Sequence, residues 1–135
     1  MPFIEWDKKF SVNVKEIDIQ HQGLFKIIND MDEAISAGKA QEVTQEIVQR
    51  MNKYAVIHFD TEEKYMIKFI YPGYAEHKKE HEQFIIKVGQ MNGRIKAGVS
   101  VMSSEITRFL KDWLMNHILV TDKKYGPYFN ENGLI

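Results

Sequence analysis

The chain has 135 residues, the usual size of one domain and enough for one sizeable core. Apolar residues make up 44% of it and charged residues 27%, which excludes an intrinsically disordered chain. The 18 Lys and Arg against 19 Asp and Glu leave a net charge of −1, so the basic footprint of nucleic acid binding is missing. Cysteine is absent, which excludes disulfides, thiolate zinc sites, iron–sulfur clusters and cysteine nucleophiles.

The N-terminal residues 1–7 lack the basic n-region and apolar h-region of a secretory signal. The apolar runs are only a few residues long, far too short for a membrane span. We therefore expect a soluble, cytoplasmic protein in which residues 1–135 form a single domain without membrane insertion. We also expect a monomer, because the sequence pattern shows no broad apolar outer face.

The first half of the chain is predicted to hold an arm and a helix. Residues 2–17 mix aromatic and β-branched residues without helical period, which predicts an extended arm. Asp18 is a plausible helix cap, and the apolar residues after it recur at steps of three and four as far as Ile35. This helix is predicted to end near Ala37, with Gly38 just beyond it. The apolar residues of the arm are Trp6, Phe10, Val12 and Val14.

Three further helices are predicted by the same periodicity. The second covers about residues 41–68, and Tyr71-Pro72-Gly73-Tyr74 breaks the chain before the third, which Gly98 closes. The fourth has an apolar stripe over residues 106–117, and a short tail follows from residue 123 to 135. The candidate caps of the fourth helix are Ser100, Ser103 and Ser104. We expect an all-α protein: an up-down-up-down four-helix bundle with an extended N-terminal arm and a short C-terminal tail.

All histidines of the chain fall on the apolar stripes of these helices. His21, for example, precedes Leu24 by three residues and Ile28 by seven, so it faces the core. Every predicted helix carries at least one such histidine, and a buried polar group without a partner costs a few kcal/mol. A metal centre would give all of them partners at once. The five histidines are His21, His58, His77, His81 and His117.

Two carboxylates extend this pattern. Glu62 follows His58 by four residues and shares its helix face, as do the two histidines of the third helix. Asp122 follows His117 by five residues, about 140° around an ideal α-helix, so these two side chains do not share a face. Asp122 can therefore join the site only if the helix loosens or turns at that point.

Five imidazoles and two carboxylates exceed what one ion needs. A four-coordinate zinc would leave three of the seven groups unused, whereas two ions bridged by the carboxylates use them all. Imidazole and carboxylate with open positions suit non-haem iron, but manganese, copper or zinc would also bind. The metal therefore stays open at this point.

Two enzyme classes are weaker alternatives. The stretch from His77 to His81 matches H-x-x-E-H, in which Glu80 would be the general base of a zinc peptidase, but this would leave three inward histidines unused. Ferritin-like di-iron oxidases use Glu-x-x-His pairs, and no Glu here stands three residues before a His. The excess of histidine over carboxylate disfavours oxygen activation by such an oxidase.

These residues resemble those of a single-domain bacterial hemerythrin over nearly the whole chain. Each matching stretch is a weak signal alone, but in this order and spacing the set is specific. The stretches are Asp18-Ile19-Gln20-His21, His58-Phe59-Asp60-Thr61-Glu62-Glu63, Tyr74 with His77-Lys78-Lys79-Glu80-His81 and Phe84, and Trp113-Leu114-Met115-Asn116-His117-Ile118 with Asp122.

The resemblance implies a role for each candidate ligand and a cofactor. Two iron ions, cycling between Fe2+ and Fe3+, would be bridged by Glu62, Asp122 and a solvent-derived oxo or hydroxo group. One iron would be bound by the three histidines of the second half of the chain and the other by His21 and His58, with an open position for O2. The three histidines of the first iron would be His77, His81 and His117.

An apolar pocket for O2 is also expected. Leu114 and Ile118 are candidates partly because they flank His117 and partly because the family's pocket residues occupy these positions. Leu24 and Trp113 complete the expected lining. The tautomers of the ligand imidazoles would be fixed by neighbouring polar residues. The candidates for this role are Gln20, Tyr54, Asp60, Glu63 and Glu80.

The resemblance therefore implies reversible O2 binding rather than an enzyme, for oxygen storage or for delivery to an oxygen-consuming enzyme. The same centre would also suit O2 or redox sensing through a partner, iron buffering or nitric oxide binding. Oxidase or peroxidase chemistry is the remaining alternative.

Overall fold

The computed structural model describes residues 3–135. Over these residues the chain is helical and contains no strand: three long helices, α1 (Lys15–Ser36), α2 (Ala40–Lys68) and α3 (Tyr74–Lys96), precede a composite fourth one. The fourth runs without interruption through α4 (Ser103–Trp113), a π-helical segment (Leu114–Thr121) and α5 (Asp122–Glu131). Short links make consecutive helices antiparallel, which confirms the predicted four-helix bundle.

Each helix turns its apolar stripe inward, and two apolar clusters result. The larger cluster fills most of the bundle, from Phe25 and Met51 to Phe84 and Leu110. The smaller one joins the arm to the end of the fourth helix through Val12, Val14, Ile17, Met66, Tyr125 and Phe129. The predicted ligands contact both clusters, since the ring of His81 lies on Phe59 of the larger and that of His77 on Tyr125 of the smaller.

The start of α1 differs from the prediction. The helix begins at Lys15, three residues before Asp18, and its N-cap Val14 has no side-chain capping bond. Asp18 instead lies in the first turn and accepts hydrogen bonds from the Ser11 hydroxyl (2.5 Å) and the Val12 amide (2.9 Å). The arm therefore ends at Val14 and includes a short 3-10 helix at Lys8–Phe10. Pro2 of the predicted arm lies outside the described residues.

The structure confirms the predicted glycines at the C-terminal ends of two helices but not the predicted serine caps at the start of α4. Gly38 and Gly98 have positive φ values of 71° and 76°, which suits the residue just after a helix. At the start of α4 the N-cap is Met102, and no side chain caps it. The serine caps predicted there were therefore wrong, because Ser103 is already inside the helix.

The C-terminal tail is shorter than predicted, because residues 122–131 continue the fourth helix as α5. The arm packs on this helix at Gly126, where a Cβ atom would lie 2.7 Å from the Val12 carbonyl oxygen. Lys123 donates to the Ser11 carbonyl oxygen at 2.6 Å. Packing against the arm helps to bury this helix. None of the helices within residues 3–135 has the length and apolar character that crossing a bilayer requires.

Candidate metal centre

The seven predicted ligands lie together at the centre of the bundle. All are buried, with at most 2% of each residue exposed. α1 supplies one histidine, α2 a histidine and a glutamate, α3 two histidines, and the fourth helix a histidine and an aspartate. The seven residues are His21, His58, Glu62, His77, His81, His117 and Asp122.

A π-helical segment in the fourth helix brings His117 and Asp122 onto the same face, although they are five residues apart. The Asp122 amide donates to the His117 carbonyl oxygen, the five-residue hydrogen bond that defines this helix type. Side chains five residues apart then share a face, and His117 Nε2 lies 2.9 Å from Asp122 Oδ1. The expectation that the helix must loosen here is confirmed.

The ligand atoms form two overlapping groups. The larger holds three histidines: Nε2 of His77 lies 2.9 Å from Asp122 Oδ1, and Nε2 of His81 lies 3.3 Å from Glu62 Oε1. Together with His117 and the two carboxylates these residues offer ligand atoms that all lie within 4.8 Å of one another.

The smaller group holds two histidines and the same carboxylates. His21 Nε2 lies 2.9 Å from Asp122 Oδ2, and His58 Nε2 lies 2.8 Å from Glu62 Oε1. The ligand atoms of this group also lie within 4.8 Å of one another. Because Glu62 and Asp122 belong to both groups, the arrangement could hold two adjacent metal ions that share these two carboxylates.

The chemistry of these atoms fits a metal rather than a hydrogen-bond network. Nε2 of all five histidines and both oxygens of each carboxylate are buried and make no hydrogen bond of good geometry. Leaving so many buried polar atoms unpaired is costly, and buried charges are usually paired or bound to metals. Divalent cations at the two positions would satisfy them all.

The electrostatics show how the metal-free site holds its charge. Burial and Asp122 raise the pKa of Glu62, but the histidines, above all His58, outweigh them and hold it below the ordinary value. Burial lowers the pKa of His117, but Asp122 and Glu80 raise it to about 10. Without an ion, a protonated His117 therefore compensates part of the carboxylate charge, and a metal must displace this proton.

Three of the ligand imidazoles have a second polar partner at Nδ1. His58 pairs with Gln20 Oε1 at 2.7 Å, and His81 with Glu63 Oε2 at 2.9 Å. His117 pairs with Glu80 Oε1 at 2.9 Å. Such partners fix the ring orientation and leave Nε2 free for the metal.

Gln20, Glu63 and Glu80 therefore take the positions that the sequence proposed for partners of the ligand imidazoles. The other two candidates do not: Asp60 is exposed, and Tyr54 stacks on the His58 ring instead. Sequence reasoning missed Thr121, which donates to Glu80 at 2.9 Å and holds it in place.

Comparison with known proteins decides the family. The family model described as the hemerythrin HHE cation binding domain matches residues 12–129. The chain belongs to the hemerythrin family. A bacteriohemerythrin of Methylococcus capsulatus is 33% identical over 128 residues, which cover 94% of this chain and 97% of that protein. A myohemerythrin of Theromyzon tessulatum is 31% identical over 121 residues, covering 90% and 89%.

Solved structures agree with this assignment. A crystal structure of wild-type hemerythrin superposes with a TM-score of 0.83 at 32% sequence identity, covering 93% of this chain and 96% of that one. Hemerythrins are oxygen-binding proteins with a non-haem di-iron centre, and this chain has a buried histidine and carboxylate cluster that could hold metal ions.

The hemerythrin cluster is enclosed by apolar and aromatic side chains. Phe59, which sequence reasoning did not single out, stacks on His81 with ring centroids 3.9 Å apart, and Trp113 stacks on His117 at 3.8 Å. The four predicted pocket residues all belong to the larger apolar cluster, with exposures between 0% and 8%. They are Leu24, Trp113, Leu114 and Ile118.

A second tyrosine at the site was also missed. Tyr125 is fully buried, lies against His77 with ring centroids 5.4 Å apart, and has a hydroxyl that makes no hydrogen bond of good geometry. Its pKa is raised well above the ordinary value by burial, and Asp122 and Glu62 add to the effect. Its position three residues after Asp122 would place both side chains on one helix face. The sequence prediction missed this because it assigned residues 123–135 to a tail and not to a helix.

A surface groove between α1 and α2 reaches the smaller ligand group. It has a volume of about 320 Å³, and its lining includes Gly23, Tyr54, Ile57 and His58. His58 is thus a predicted ligand that is almost fully buried yet adjoins a solvent-accessible cleft.

Proposed function

We propose that the chain binds O2 reversibly, for storage or for delivery to an oxygen-consuming enzyme, at irons held by the seven ligands described above. The observation that carries this proposal is the inequality of the two ligand groups. Both contain Glu62 and Asp122, but one adds three histidines and the other only His21 and His58. The second position therefore has one protein ligand fewer, and we assign the open coordination position for O2 to it.

The side chains contribute to this function in distinct ways. The di-iron pair, when bound, supplies the electrons and the coordination position that O2 needs. Glu63 and Glu80 hold two histidines of the larger group through charged hydrogen bonds, whereas Gln20 holds His58 through a neutral amide. The side with the open position therefore has less negative charge around it, which suits a site that must take up a ligand and release it.

The buried apolar residues exclude water from the ligand. Leu24, Leu114 and Ile118 are each at most 1% exposed, and the indole of Trp113 covers His117. A dry lining slows the entry of protons and water, which would convert the O2 complex irreversibly to the oxidised protein. We propose these four residues as the O2 pocket.

Further parts of the proposal concern the whole protein. We propose that residues 1–135 act as a single cytoplasmic, monomeric domain without enzymatic activity. O2 or redox sensing, and iron or nitric oxide binding, use the same centre and remain alternatives. Oxidase or peroxidase chemistry is a further alternative that the excess of histidine over carboxylate disfavours.

An absorption experiment tests the function. Iron-loaded protein is reduced without air and then cycled between air and vacuum while the visible spectrum is recorded. We expect charge-transfer bands that appear with O2 and vanish when it is removed. Bands that appear once and do not reverse would indicate an oxidase or a redox sensor, and zinc instead of iron would refute oxygen binding.

A pair of variants two residues apart on α2 supplies the matched control. Glu62→Gln removes a proposed bridging carboxylate, and we expect it to abolish the reversible bands and reduce the iron bound per chain. Asp60→Asn makes the same kind of change at an exposed carboxylate. It should behave as the wild type does.

A further inference from the structure

Tyr54 carries a buried hydroxyl that lies near the Trp113 side chain but makes no hydrogen bond of good geometry. The residue is 9% exposed, and its ring stacks on that of His58 with centroids 5.1 Å apart and an interplanar angle of 20°. Tyrosine hydroxyls buried in proteins usually find a partner, and one without a partner reduces stability. A binding site would explain why a tyrosine rather than a phenylalanine stands here.

The ring of Tyr54 lies on a different ligand histidine from the rings of the other two residues that carry buried donors without a good hydrogen bond. Three buried donors make no hydrogen bond of good geometry: the hydroxyls of Tyr54 and Tyr125, and the indole N–H of Trp113, which lies beside the Tyr54 hydroxyl. The rings of Tyr125 and Trp113 lie against His77 and His117, which belong to the larger ligand group. Tyr54 stacks on a histidine of the smaller group, the one to which we assign the open coordination position.

The surface above Tyr54 favours the approach of a small anion. Tyr54 and His58 both line the groove between α1 and α2. The groove is lined by three cationic side chains, and Asp30 beside it pairs with Lys26 at 3.4 Å and with Arg50 at 2.8 Å. The three positive charges against one negative charge leave an excess of two positive charges. Positive charge at the mouth of a cleft raises the local concentration of anions. The cationic residues of the lining are Lys26, Arg50 and Lys53.

We propose that the Tyr54 hydroxyl donates a hydrogen bond to a small anionic ligand held at the open position beside His58. This inference rests on the proposed function, because it uses the same open position. At neutral pH a tyrosine hydroxyl carries its proton and can donate it in a hydrogen bond. A ligand that gains negative charge when it binds is favoured by such a donor, whereas a neutral ligand gains less.

The proposal predicts opposite effects of Tyr54→Phe on two measurements. In the iron-loaded diferric protein, titrated with sodium azide and followed by its charge-transfer absorption, the dissociation constant should rise roughly 10- to 100-fold, the range expected for one hydrogen bond to a charged group. In the metal-free protein the same substitution removes an unpaired buried hydroxyl, so the melting temperature should rise by a few degrees. A purely structural tyrosine would give a lower melting temperature instead.

Tyr74→Phe is the matched control. Tyr74 lies in the first turn of α3, outside the ligand groups, and its ring is contacted by the Lys78 ammonium. Removal of its hydroxyl should change azide affinity by less than twofold. Equal azide affinities for Tyr54→Phe and the wild type would overturn the proposal.

If Tyr54→Phe does not load iron, the wild type alone still decides. The stretching frequency of bound azide should shift between H2O and D2O, and the absence of a shift would overturn the proposal. Failure of the proposed function gives a different result, because a diferric protein that never binds O2 reversibly still reports its azide affinity.

Discussion

Glu80 offers the sharpest test of how residues outside the ligand set control the metal. Its carboxylate accepts a hydrogen bond from His117 Nδ1 at 2.9 Å and a second one from Thr121 at 2.9 Å. The hydrogen bond from His117 is the main reason that the pKa of Glu80 lies below its ordinary value, so the group is ionised at neutral pH. Glu80→Gln keeps the size of the side chain and an acceptor oxygen but removes the charge.

The size of the effect follows from the geometry. With ordinary ring and metal–nitrogen bond lengths, a dication bound to Nε2 of His117 would lie roughly 7 Å from the Glu80 oxygen. Coulomb's law then gives about 5 kcal/mol at an effective dielectric constant of about 20 and about 1 kcal/mol in water. Because the Glu80 side chain is 39% exposed, the true value lies well below the upper figure. A loss of metal affinity of roughly 10- to 100-fold is therefore expected.

The assay is a competition between the metal-free protein and a chelator for ferrous iron under anaerobic conditions. Glu80→Gln should weaken one of the two metal-binding steps and leave the other nearly unchanged, because its charge lies beside the larger ligand group. Glu82→Gln is the matched control, since Glu82 is an exposed carboxylate on the same helix. Equal iron affinities for these two variants would refute the argument that the charge of Glu80 acts through His117.

Three further predictions concern the pocket, the backbone and pH. Leu114→Ala opens a fully buried position next to the site, so the O2 complex should autoxidise several times faster, and an unchanged decay of its charge-transfer band in air would remove Leu114 from the pocket lining. Ile70 is 82% exposed and has a φ of 53°, a conformation that costs a β-branched residue about 1–2 kcal/mol. After the entropy cost of glycine is subtracted, Ile70→Gly should stabilise the metal-free protein by about 0.5–1 kcal/mol. Urea denaturation would detect this as a higher midpoint. The pKa of His117, about 10 in the metal-free protein, lies above its unfolded value near 6.5, so its contribution to stability is complete below about pH 6.5 and is lost as the pH rises through about 10. The urea midpoint of the metal-free protein should therefore decrease as the pH is raised from 7 to 10. A decrease of the same size in His117→Gln would contradict the assignment of this effect to His117.

The sequence alone determined which residues face the centre of the bundle. A helix repeats every 3.6 residues, so a histidine three or four residues from buried apolar positions must point the same way as they do. This local rule placed His21, His58, His77 and His81 correctly, and the four-residue spacing placed Glu62 beside His58. The order and spacing of the histidines and carboxylates that are typical of the hemerythrin family could also be read from the sequence.

The register of the fourth helix was decided only by the tertiary structure. The five-residue step from His117 to Asp122 is wrong for an α-helix, and no local signal shows that a π-helix will form. Packing of the arm on Gly126 and on Lys123 holds the end of this helix in place, through contacts more than 100 residues apart in the sequence. Regular periodicity could not predict contacts of this kind.

Long-range packing also selected the partners of the ligand imidazoles. Gln20 and His58 are 38 residues apart and Glu80 and His117 are 37 apart, so each pairing depends on how neighbouring helices are rotated against each other. Candidates for these partners could be named from the sequence, but the individual pairs could not. Periodicity along one helix fixes which side chains face inward, because that depends on neighbouring residues alone. The contacts that they make with other helices depend on the packing of the whole bundle.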